Sequence, residues 1–106
     1  MIKEGDYLVL EDNTAVVHIL KLDEKELIYE QGWYSSHVCG LSAGYDTQHI
    51  DLTDPSLPEP VFYYNDWINF FEETYEKTNE ETFNRIYNKS AMIVDELDAL
   101  KLKLSV

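Results

Sequence analysis

Thr14-Ala15-Val16-Val17-His18-Ile19-Leu20-Lys21-Leu22 is a nearly unbroken run of apolar and β-branched residues. Val, Ile and Thr are stiff at their branched carbon and pack well on a pleated surface, so the run reads as a strand. It lacks the strict apolar–polar alternation of a half-exposed strand, as a strand buried on both faces would.

Working outward, Asp6-Tyr7-Leu8-Val9-Leu10-Glu11 is a shorter strand before it, and Asp12-Asn13 supplies the turn between them. Asp23-Glu24 turns the chain again, into Glu26-Leu27-Ile28-Tyr29-Glu30. Residues 6–30 thus read as three consecutive strands. With Gly5-Asp6 leading into the first, this opening is similar to that of SH3-like barrels.

Residues 33–52 read as a second hairpin. Gly40-Leu41-Ser42-Ala43-Gly44 suits a five-residue loop, with a glycine at each end for positive φ. If residue 39 faces residue 45, then Trp33, Ser35, His37, Cys39, Tyr45, Thr47, His49 and Asp51 share one face. Tyr34, Val38, Ile50 and Leu52 take the other. Pro55, Pro58 and Pro60 then exclude a central strand or a helix interior and mark a stiff connector. Val61-Phe62-Tyr63-Tyr64 has the composition of one more short strand.

Two helices are expected next. Asn65 suits an N-cap, and Trp67, Phe70, Phe71 and Tyr75 recur at helical spacing. Thr78-Asn79-Glu80-Glu81 fits a capping box opening the second helix. Phe83, Ile86, Tyr87, Ser90, Ile93, Val94 and Leu97 share one face of it. In the tail, Leu97, Leu100 and Leu104 continue a heptad seam, while Leu100, Leu102, Leu104 and Val106 alternate like a strand. The alternation favours a helix ending near Asp98 and a last strand over Lys101–Val106.

The expected class is therefore α+β. An N-terminal antiparallel β-sheet or SH3-like partial barrel is followed by a helical hairpin and a short C-terminal strand. The 106 residues make one domain: β-rich over 1–54, a Pro-rich connector over 55–60, and mainly helical over 61–106.

Charge is the outlying property. There are 21 Asp+Glu against 8 Lys+Arg, a net charge of −13. Solubility needs only about 2–8 charges on a small domain. The excess costs stability through self-repulsion, so a use for it is expected. The sign argues against direct binding of nucleic acid or of an anionic membrane. It favours a basic protein surface, such as the groove of a nucleic-acid-binding enzyme. Residues 59–81 carry seven acids against Lys77 alone, whereas residues 82–106 carry three acids against four bases. The expected partner-binding residues are Asp66, Glu72, Glu73, Glu76, Glu80 and Glu81, with Tyr64 and Trp67 beside them. Glu72 and Glu76 are read as like-charged neighbours on one helix. Tyr34, Tyr63 and Tyr75 are further contact candidates, while Tyr29, Tyr45 and Tyr87 are assigned to the core or its rim.

Catalytic patterns are lacking. The residues 40–44 stretch has neither the Lys-Ser/Thr ending of a phosphate loop nor the third glycine of a dinucleotide fingerprint. No carboxylate pair stands out as acid and base, His18 sits in an apolar strand and reads as structural, and no cofactor is expected. His37, Cys39, His49 and Asp51 would converge on one face of the proposed hairpin, and zinc accepts such ligands. Their spacing matches no standard zinc site, so they read instead as polar residues on a half-exposed strand pair. Cys39 is the single cysteine and forms no intramolecular disulfide. The opening residues lack a signal-peptide pattern and no run suits a membrane span, so a cytoplasmic protein is expected.

In size and charge the chain is similar to small acidic proteins of phages and mobile elements, such as anti-restriction and anti-CRISPR proteins. That likeness implies an inhibitor or nucleic-acid mimic rather than an enzyme. The alternative is a structural or self-associating module, a homodimer through the nearly neutral C-terminal helix.

Overall fold

The computed structural model describes residues 1–37, 40–53 and 64–104. Val16, Val17 and Ile19 are 0%, 1% and 0% exposed although neighbouring strand residues point to opposite faces, so β2 (Ala15–Leu22) is covered on both sides. Its neighbours are β1 (Tyr7–Val9) and β3 (Glu26–His37), and β4 (Gly40–Asp51) follows β3. All pairings are antiparallel, in the order β4-β3-β2-β1-β5, where β5 is Glu76–Thr78. The sheet is open, not closed into a barrel. The class is α+β.

The turns follow their side chains. Asp12 Oδ1 accepts bonds from the Thr14 amide and hydroxyl at 3.1 and 2.6 Å, and Asn13 takes a φ of 60° between β1 and β2. Asp23 Oδ1 accepts from the Lys25 and Glu26 amides at 2.8 and 2.9 Å. Between Ile19 and Lys21 the β2–β3 register shifts by a bulge. Leu20 is put outside at 43% exposure, and Leu22 pairs with Leu27 while Lys21 goes to the opposite face.

One helix packs on each face. Leu8, Val17, Ile19, Leu27 and Tyr29 meet Phe71 of α1 (Tyr64–Thr74), with Tyr64, Trp67 and Tyr75 packed around them. Val9 and Val16 on the other face meet Phe83 and Ile86 of α2 (Glu80–Leu104). The two expected helices are thus no hairpin: β5 separates them and pairs with β1. Asn79, not Thr78, caps α2, accepting from the Thr82 amide at 2.9 Å, because Thr78 belongs to β5.

Three further expectations change. The β3–β4 hairpin pairs His37 with Gly40 and Trp33 with Gly44, so residues 40–44 are not its loop. The segment Gly40–Gly44 is strand. The expected faces therefore change too: Trp33 and Ser35 now share theirs with Gly44, Ser42 and Ile50. At the tail, α2 runs unbroken to Leu104, which removes the last strand over Lys101–Leu104. Leu, Lys and Ala are all strong helix formers, and the heptad reading wins over the alternation. Tyr64 begins α1, so Asn65 is inside the helix and not its cap. The Pro-rich connector, Val61–Tyr63, Val38, Cys39 and residues 105–106 lie outside the described residues.

Candidate protein-binding surface

Five of the six expected acidic residues lie around the short edge strand β5, from three elements. Glu72 and Glu73 end α1, Glu76 is on β5, and Glu80 and Glu81 occupy the first turn of α2; all five are exposed. Glu80 and Glu81 favour the helix by lying at its positive end. Because Glu76 is on a strand, the helical Glu72/Glu76 pairing expected from the sequence does not exist. Glu72 instead accepts the Ile2 amide at 3.1 Å, tying the N-terminus to α1.

Two acids join this surface that sequence reasoning did not single out. Val9 pairs with Glu76, so the turn after β1 lies beside the end of α1. There Leu10, Glu11, Asp12 and Thr74 line a cleft of about 450 Å³. Glu11 and Asp12 are both exposed. The bonds from Thr14 hold the Asp12 carboxyl below its ordinary value, so it stays charged. The missing signal was the β1–β5 pairing, which three residues of β5 do not announce.

The basic residue within this surface is already engaged. Lys77 Nζ lies 2.9 Å from the Met1 carbonyl and 3.4 Å from Asp6 Oδ2. At the β1 corner, burial and then the carboxylates of Glu80 and Glu30 push the Tyr7 hydroxyl above its ordinary value. That corner therefore sits in a negative field.

The other expected contacts fall elsewhere. Asp66 is exposed in the first turn of α1, two turns from Glu73, or about 10 Å along the axis. Trp67 and Tyr64 pack towards the core: Trp67 has ring centroids 6.0 Å from Tyr29 and 5.5 Å from Phe71. Tyr75 joins the same cluster, and Tyr34 lies under Lys89 Nζ at 4.6 Å. Tyr29 is buried, while Tyr45 is 43% exposed and meets Tyr87 edge-on at 5.8 Å.

The shared face expected for His37, His49 and Asp51 does not form. His37 pairs with Gly40 at one end of the hairpin, and His49 is nine residues further along β4, about 30 Å away. His49 Nε2 is 2.8 Å from Glu26 Oε2, and Asp51 Oδ1 accepts from the Thr53 amide and hydroxyl at 2.9 and 2.7 Å. Cys39 lies outside the described residues. Among the described residues no three His, Cys, Asp or Glu side chains converge.

His18 has a packing role. Its ring stacks on Tyr7 at 4.1 Å and 9°, tilts against Phe83 at 5.6 Å, and Nδ1 lies 3.0 Å from Glu30 Oε1. These contacts join β1, β2, β3 and α2 in one stack.

No helix among the described residues is long and apolar enough to cross a membrane. Comparison with protein-family models, with curated proteins and with solved structures finds no match to this chain.

Proposed function

We propose that this protein acts by binding a basic protein surface, as an inhibitor or nucleic-acid mimic. One observation carries the reading. Seven exposed carboxylates, Glu11, Asp12, Glu72, Glu73, Glu76, Glu80 and Glu81, come from four chain segments around β5, while Lys77 is held by Asp6 and Met1. Gathered from adjoining segments, these carboxylates present a concentrated negative surface, as phosphates do along a nucleic-acid strand. A groove lined with Lys and Arg to hold phosphates would accept such a surface, and occupying it would exclude the nucleic acid. The partner class is a nucleic-acid-binding enzyme, with phage-type counter-defence as one setting.

The test is competitive capture. Immobilised protein is exposed to lysate and washed with salt or with excess duplex DNA. The expected result is a nucleic-acid-binding protein released by both washes and not retained by the Glu73→Lys/Glu76→Lys variant. Equal retention by that variant, or release by salt but not by DNA, would overturn the mimic reading.

A further inference from the structure

The core-facing stripe of α2 outruns the sheet. Ile86, Ser90, Ile93, Leu97, Leu100 and Leu104 are spaced four and three residues apart by turns, the spacing of a coiled-coil seam. The first half is used inside the chain: Ile86 is 1% exposed, Ser90 0% and Ile93 7%. Leu97 is half-buried, then Leu100 is 52% and Leu104 78% exposed. Eleven residues separate Ile93 from Leu104, about 16 Å of helix. The same face that builds the core thus continues beyond it as an apolar ridge.

The charges flanking this ridge are ordered. Glu96 and Asp98 precede its midpoint, and Lys101 and Lys103 follow it. On a helix of 3.6 residues per turn, Asp98 and Lys101 lie along one flank, and Glu96 and Lys103 along the other. Suppose a second copy lies antiparallel, with the two-fold axis between residues 99 and 100. Asp98 then faces Lys101 and Glu96 faces Lys103, each pair occurring twice. In the same register the leucines interleave: Leu100 sits beside its own symmetry mate, with Leu97 and Leu104 alternating along the seam. A parallel pair would bring Glu96 against Lys101 of the mate but would leave Asp98 and Lys103 without an opposite charge across the seam, whereas the antiparallel register pairs all four.

We propose that the C-terminal turns of α2 are a self-complementary docking surface whose occupant is the same ridge of a second copy, antiparallel. A two-fold contact needs one patch that fits itself, and an acid half followed by a basic half has that property. The overlap is short against the roughly 1,200–2,000 Å² of a stable interface, so the dimer is concentration-dependent. This contact lies on a different surface from the acidic cluster and stands independently of it.

Sedimentation equilibrium at about 0.15 M salt, where the Debye length is about 8 Å, tests the proposal. The apparent mass should rise from 12.4 kDa towards twice that value as concentration increases. Leu100→Glu/Leu104→Glu should stay monomeric with unchanged circular dichroism, since both side chains are exposed in the monomer. Glu96→Lys/Asp98→Lys and Lys101→Glu/Lys103→Glu should each be monomeric alone and should form a one-to-one dimer when mixed. A wild-type chain still monomeric at about 1 mM, the weak end of specific affinities, would assign the ridge to a different protein and overturn the proposal. Wild-type-like dimers from either charge variant alone, or no dimer on mixing, would overturn the antiparallel register.

Discussion

Tyr87 of α2 lies directly over Gly32 of β3. A methyl group placed on Gly32 would meet Tyr87 Cδ2 at 3.0 Å and its Cα at 3.1 Å, with Ser90 Oγ at 3.5 Å. Gly32 and the buried Ser90, whose hydroxyl bonds back to the Ile86 carbonyl at 2.9 Å, let α2 sit close on the sheet. Gly32→Ala should therefore destabilise by about 1–3 kcal/mol, the usual range for overpacking, because a backbone atom must move. A denaturant midpoint equal to wild type would show that α2 can lift without loss.

Gly44 offers the contrasting case. Its added methyl would come within 2.7–2.9 Å of the Trp33 indole, across the strand pair. Trp33 is 39% exposed, so a side chain, and not backbone, can give way. Gly44→Ala should cost less than Gly32→Ala while displacing the indole, seen as a red shift in tryptophan emission. A larger loss of stability than for Gly32→Ala would mean that Trp33 is held in place.

Glu26 bridges two strands, pairing with Lys21 and His49. Lys21 and then His49 hold its carboxyl below the ordinary value of 4.5. A carboxylate with a depressed folded pKa stabilises the fold above its unfolded value, and that stabilisation is lost as pH falls through the folded one. Glu26→Gln should therefore be less stable than wild type at pH 7, with the difference closing in acid below pH 4.5. Parallel stability curves over that range would show that the pairing adds nothing.

The N-cap of α2 gives a separable test of the strand–helix junction. Asn79→Ala removes the acceptor for the Thr82 amide and should cost about 0.5–2 kcal/mol. Thr78→Ala, in β5, should not cost as much through capping. The reverse order in thermal melts would restore Thr78 as the cap.

Sequence legibility divided along physical lines. The nearly unbroken apolarity of Val16, Val17 and Ile19 exposed the doubly covered strand, and the Phe83-Ile86-Ser90-Ile93 spacing exposed the buried face of α2, because deep burial leaves a strong pattern. The β3–β4 register was not legible. Its polar residues fall on both faces, which specifies register weakly. Gly44 also read as a turn residue when it is the floor under Trp33. β5 was invisible because three residues carry no period and pairing with β1 alone makes them a strand. The acidic charge was legible in the sequence, but its extension to Glu11 and Asp12 depended on that unseen pairing.

The density of carboxylates around β5 has a consequence for the fold as well as for binding. Exposed like charges repel, and salt screens them: the Debye length falls from about 30 Å at 0.01 M to about 10 Å at 0.1 M. The melting temperature should therefore rise as salt is added over that range. Glu73→Lys/Glu76→Lys changes each of two charges by +2 and takes the net charge from −13 to −9. That variant should melt higher than wild type in low salt and respond less to added salt, while losing the captured partner. Stability gained as binding is lost is the signature of charge kept for a purpose. A wild-type melting temperature that falls with salt would instead mean that these carboxylates are stabilised within the fold, and the surface around β5 would no longer be one held ready for a basic partner.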